Sequence, residues 1–204
     1  MKELLSNFNW TYYLLIVNSI GFVFYLISMW LYSHTSDGQI DSLLTITSLL
    51  GGSLGIVIAI VIFDRMPKKE NMMSRVFVSS VLVIQIVIFL IVKGFIAKDL
   101  RFAFWTFFDK HKALLIYLVV INVVTLVAYG IDKINSMEGR SRIRIITLLD
   151  LAFIGGSIGA LIAMYAFHHK THKDYFTVGV PLILIMQIVL IFYLMNLPQV
   201  HIFK

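Results

Sequence analysis

Short polar interruptions divide the chain into six long apolar stretches. Leu4–Ser33, Ser42–Phe63, Val76–Val92, Ala113–Ile131 and Tyr175–Phe203 contain no Asp, Glu, Lys or Arg, and Ile145–Phe167 contains only Asp150. A membrane-spanning helix needs roughly 20 apolar residues, within a range of about 17–25. All six stretches qualify, Val76–Val92 and Ala113–Ile131 narrowly. Backbone groups in hydrocarbon must bond within their own segment, so the stretches are expected to be helices. A barrel is excluded because no stretch alternates apolar and polar residues. The expected fold is therefore an all-α polytopic membrane protein with six transmembrane helices. Trp10, Tyr12 and Tyr13 at one end of the first helix, and Trp30 and Tyr32 at the other, suit interfacial aromatic belts. Residues 98–112 place Phe102, Phe104, Trp105, Phe107 and Phe108 between basic residues, which predicts an interfacial amphipathic linker. The domain plan is thus residues 1–97, the linker 98–112, and residues 113–204.

Composition agrees. Of 204 residues, 59% are hydrophobic and 14% charged, against about 25% charged in ordinary soluble domains. The net charge of +6 is carried by short segments between apolar stretches. That placement suits anionic lipid headgroups and not nucleic acid. The absence of cysteine excludes disulfides and cysteine-ligated metal. The first stretch reads as a retained helix, with no cleavable signal peptide.

A shift of 104 residues aligns the two halves. Leu14, Asn18, Val23 and Tyr25 fall on Leu118, Asn122, Val127 and Tyr129. Gly51-Gly52-Ser53-Leu54-Gly55 falls on Gly155-Gly156-Ser157-Ile158-Gly159, and with a two-residue slip Gln85-Ile86-Val87 falls on Gln187-Ile188-Val189. Three crossings per half is an odd number, so the halves are expected as inverted-topology repeats. The basic residues swap sides as inversion requires. Their slight excess on the amino-terminal side predicts cytoplasmic termini in the plasma (inner) membrane.

The second half resembles a small bacterial membrane family, domain of unknown function 1294. The resemblance rests on Tyr129-Gly130-Ile131-Asp132-Lys133, Gly155-Gly156-Ser157-Ile158-Gly159-Ala160, His169-Lys170-Thr171 with Lys173, and Gly179-Val180-Pro181. It covers roughly Leu115 to Leu190. The first half keeps the glycine motif but has Arg65-Met66-Pro67 in place of His-Lys-Thr. The resemblance implies a tandem version with one degenerate copy, and it implies no particular activity.

Several residues are candidates for chemistry. Gly51 with Gly55, and Gly155 with Gly159, are small-xxx-small pairs that let helix backbones approach closely; a locally broken helix lining a site is the alternative. Asn18, Ser53, Gln85, Asn122, Ser157 and Gln187 lie near the centres of their stretches. They read either as interhelical hydrogen-bond glue or as a substrate or ion path. Asp150, whose repeat counterpart is Ile46, is a functional candidate by its depth; it either couples to transport or pairs with Arg142 or Arg144. Ser157 lies seven residues on from Asp150, so the two are expected to share a helix face, nearly opposite Gly155 and Gly159. His169, Lys170 and Lys173 are candidates for headgroup contact. His168 and His172 share a helix face only if that helix continues, and no third ligand is evident, so no metal is expected. Asp132 and Lys133 read as closing the fourth helix. No triad, zincin or phosphate-loop signature appears, so neither an enzyme nor a cofactor is expected. The leading expectation is a small transporter or channel of unknown substrate. The competing one is a membrane accessory, interaction or lipid-binding protein. Expected partners are membrane lipids, a second copy, or another membrane protein.

Overall fold

The structure, a computed structural model, describes residues 9–34, 41–64, 71–97 and 100–197. The loop holding Arg65, Lys68 and Lys69 and the first two linker residues lie outside the described residues. Among the described residues all regular structure is helical. Six segments are long and apolar enough to cross a membrane: Trp10–Leu31, Ser42–Phe63, Met72–Val92, Lys112–Met137, Ile145–Ala166 and Asp174–Met195. This is an all-helical membrane protein. Its chain forms two compact units, residues 1–82 and 83–204.

The first unit holds α1 (Trp10–His34), α2 (Asp41–Thr47), α3 (Ser53–Phe63) and the start of α4 (Met72–Val92). The second holds α5 (Phe104–Lys110), α6 (Lys112–Met137), α7 (Ile145–Leu151), α8 (Ser157–Ala166), α9 (Asp174–Thr177) and α10 (Gly179–Met195). Helix α6 continues past the charge-free stretch, so Asp132 and Lys133 lie within it and do not close it. Its outer face is apolar, with Ile116, Val119, Val120, Val123, Val124 and Val127 exposed, as lipid contact requires. In the linker, α5 buries Phe108 and exposes Trp105.

The second and fifth segments are interrupted at their glycine pairs. Gly51 (φ 110°, ψ 3°) and Gly155 (φ 134°, ψ −8°) leave the helical region inside wide turns spanning Ser48–Gly52 and Ala152–Gly156. A side chain at such φ clashes with its own backbone, so glycine is the residue that turns the chain here. The turn reverses direction. Asp132 accepts a hydrogen bond from Ile143 N, just before α7, and also meets His169, just after α8. One straight helix over the 22 residues Ile145–Ala166 would hold its ends about 30 Å apart; here a single carboxylate touches both flanks.

The order of contacts along α6 says the same. Tyr129 meets Leu148 while Asp132 meets Ile143, so α7 runs antiparallel to α6. Asn122 meets Gly159 while Asp132 meets His169, so α8 runs parallel to it. In the first unit Tyr13 meets Leu50, Asn18 meets Gly55 and Tyr25 meets Asp64, so α3 runs parallel to α1. Leu44 and Ile60 share one core cluster with Tyr25, Ile56, Ala59 and Val78, although a straight helix would separate those two by about 24 Å.

The returning helices lie directly on their neighbours. A Cβ on Gly55 would fall 1.9 Å from the Asn18 carbonyl oxygen, and one on Gly159 would fall 2.1 Å from that of Asn122. Neither backbone oxygen can move without shifting its helix. Gly55→Ala and Gly159→Ala are therefore expected to cost about 1–3 kcal/mol each through overpacking. Gly130→Ala meets only Phe167 at 3.4 Å and is expected to change stability by less than about 0.5 kcal/mol. Equilibrium unfolding in mixed detergent micelles checks the contrast.

Candidate functional site: the glycine breaks and the Asp132 cluster

A chain turn inside a bilayer strands carbonyls at the end of one helix and amides at the start of the next. Asn122 serves both. Its Nδ2 donates to Gly155 O (2.9 Å) and Leu118 O (2.7 Å), and its Oδ1 accepts from Gly159 N (2.7 Å). Tyr117 donates to Ile154 O at 2.6 Å. Gln187 on α10 donates to Ala152 O and Phe153 O at 2.7 and 3.1 Å, and its Oε1 accepts from Ser157 Oγ at 2.5 Å. Asn122, Ser157 and Gln187 thus gather around one break.

The first unit repeats the pattern 104 residues earlier. Asn18 donates to Leu14 O and accepts from Gly55 N, both at 2.8 Å, and Tyr13 donates to Leu50 O at 2.7 Å. Ser53 is buried beside this break. Gln85 is half-buried on the later part of α4, which belongs to the second unit. The four glycines divide their labour: Gly51 and Gly155 turn the chain, and Gly55 and Gly159 admit the neighbouring backbone. Asp150 is exposed on α7, and the turn at Gly155 separates it from the buried Ser157, so the two do not share a helix face. Arg142 bonds Ser136 and not Asp150.

At the open end of the second hairpin, Asp132 is fully buried. Its Oδ1 accepts from Ile143 N at 2.9 Å; its Oδ2 lies 2.7 Å from His169 Nε2 and 3.1 Å from Lys170 Nζ. The Lys170 ammonium sits 5.4 Å from the centre of the Phe176 ring, which packs edge-on against Tyr129 at 5.8 Å. Thus His169 and Lys170 point inward at a carboxylate, while Lys173 is exposed. His168 (φ 46°) and Lys170 (φ 66°) both adopt left-handed backbone, a conformation that costs about 1–3 kcal/mol and persists where surrounding contacts enforce it. Helix α8 stops at Ala166, so it does not carry His168 and His172 on one face. Among the described residues no group of three His, Asp or Glu side chains is placed to hold a metal.

The first unit has a counterpart with its charges exchanged. Tyr25 donates to Asp64 Oδ2 at 2.6 Å, Arg75 pairs with the same oxygen at 3.1 Å, and Asn71 bonds it too. The acid now follows the hairpin and the cation sits on α4. Sequence reasoning missed Asp64 and the capping roles of Tyr13 and Tyr117. The two tyrosines stand 104 residues apart, at the offset of the repeat, and that spacing was the available signal.

Residues 122–176 match the family described as "Protein of unknown function (DUF1294)". The uncharacterized protein YsdA of Bacillus subtilis (strain 168) is 37% identical over 75 residues, which is 37% of this chain and 84% of that protein. The chain belongs to that family. No solved structure matches it. The family match is narrower than the resemblance read from the motifs. It runs from the capping Asn122, through Asp132, the Gly155 turn and the His169-Lys170 pair, to Phe176. The family's residues therefore hold the hairpin, the asparagine at its tip and the ion cluster at its mouth.

The cluster's stability is testable. Asp132→Ala leaves Lys170 buried without a counter-charge and Ile143 N without its acceptor, a loss of about 3–5 kcal/mol. Asp132→Asn keeps an acceptor for Ile143 and should lose less. Micellar unfolding gives the two losses, and limited trypsin digestion should cut after Lys170 faster in the alanine variant than in the wild type.

Proposed function

We propose that the chain is a small membrane transporter or channel whose path passes the two glycine turns. The observation that carries this reading is the repeated interruption of helical backbone midway along segments apolar enough to lie in a membrane, fitted with asparagine and tyrosine caps in both units. Irregular backbone inside a bilayer is tolerated where protein buries it or where it lines a watery cavity. Transporters place discontinuous helices at their substrate sites, in corresponding positions of two related halves. The residues proposed to line the path are Asn18, Ser53 and Gln85 in one half and Asn122, Ser157 and Gln187 in the other, with Asp150 on the approach. The plasma membrane of a bacterial cell is the proposed location, with its anionic lipids and a second copy as partners. No catalytic residue is proposed.

The second reading is a membrane accessory or interaction protein without transport. It is favoured by the hydrogen bonding of Asn122 and Gln187, whose polar atoms bond to backbone and side chain within their own unit.

The two are separated with purified protein in liposomes, using ion-sensitive dyes for protons, potassium, sodium and chloride. Transport predicts a flux for one of these probes above protein-free liposomes. Gln187→Ala should lower it at least tenfold, and Lys173→Ala should leave it unchanged. Wild-type flux unaffected by Gln187→Ala contradicts the path. Absence of flux for every probe, with a stoichiometric membrane partner co-purifying, supports the second reading.

A further inference from the structure

We propose that Ser42–Phe63 and Ile145–Ala166 do not cross the bilayer, but are re-entrant helical hairpins, each entering and leaving through one face. Length and apolarity alone give both segments the character of spans. Their geometry gives a different answer. The half-helices are Asp41–Thr47 and Ser53–Phe63 in one hairpin, and Ile145–Leu151 and Ser157–Ala166 in the other. At about 1.5 Å per residue none exceeds about 17 Å, against a hydrocarbon thickness of about 30 Å. The two limbs run in opposite directions along α6, and Asp132 binds the backbone before the first limb and the side chains after the second.

The charges fit one mouth and one buried tip. Arg140, Arg142 and Arg144 precede the second hairpin, and His168, His169, Lys170, His172 and Lys173 follow it. The tip, Ala152–Gly156, has no charged residue, and Ile154 within it is exposed, as is Leu50 at the tip of the first hairpin. Emergence into water on the far face would strand apolar side chains there, whereas lipid accommodates them. The tip's polar backbone is covered by Asn122, Tyr117 and Gln187, which is the condition for a non-helical turn at membrane depth. Each half then crosses the membrane twice, on its first and third segments. An even number removes the parity argument by which three crossings call for inverted halves.

The test needs only sidedness, and the chain's lack of cysteine makes it clean. Ser141 lies before the second hairpin and His172 after it, and both are exposed. Ser141→Cys and His172→Cys are made separately and treated with a membrane-impermeant maleimide, in intact cells and in inverted vesicles. Detergent-solubilised protein gives the full-labelling reference. Re-entrance predicts that both positions label from the same side, whichever side that is. Labelling of one position only from outside and the other only from inside would overturn it. The result is independent of whether the protein transports anything.

Discussion

A helix that turns around within hydrocarbon exposes amides and carbonyls to a medium that offers them no partner, at a cost of several kcal/mol for each. The architecture of both units is organised around meeting that demand. Asn122 meets it most economically, because one side-chain amide reaches a carbonyl of the turn, Gly155 O, and a first-turn amide of the returning limb, Gly159 N. Its position requires the returning limb to touch the α6 backbone, which is why Gly159 lacks room for a Cβ. Asn18 and Gly55 repeat the amide contact and the close approach of the backbones. Asparagine cap, glycine turn and glycine contact thus form one device, and a change in any of them affects the other two.

The mouth of the hairpin is fixed by a second demand. Asp132 is buried, and a buried carboxylate needs compensation from every side. Ile143 supplies it from one limb, His169 and Lys170 from the other, so neutralising the charge ties the limbs to α6. The left-handed backbone on either side of His169 is the local cost of aiming both side chains at one acid. In the first unit Asp64, after the hairpin, is met instead by the Tyr25 hydroxyl of α1 and by Arg75 of α4. The two clusters join different segments, so the repeat is clear in the glycine and asparagine positions but faint in the charged ones. Packing at the tip constrains residue identity, whereas the mouth requires only that opposite charges meet.

The membrane class, the six apolar segments and the family were legible in the sequence, because each is written in composition, spacing or motif. The turns were only half legible. Gly51-Gly52 and Gly155-Gly156 suggested either packing or a break, and both occur, at different glycines of each motif. Apolarity could not show reversal, since a hairpin buried in lipid has the same composition as a span. Asp132 and His169 are 37 residues apart, and no periodicity links them. The headgroup contact expected of His169 and Lys170 followed from their place at a helix end; what the linear chain hid is that a carboxylate lies beneath them. Similarly, Asp150 and Ser157 share a face only on a continuous helix, and the glycine turn between them ends that relation.

Gly155 folds the fifth segment back on itself. The most direct measurement is the distance between spin labels at Ser141 and His172, by pulsed electron resonance in nanodiscs. A folded hairpin predicts a narrow distribution centred below about 25 Å, whereas a continuous helix, rising about 1.5 Å per residue, would place the labels about 45 Å apart. The shorter distance is the one expected of the hairpin, and the longer one would rule the hairpin out.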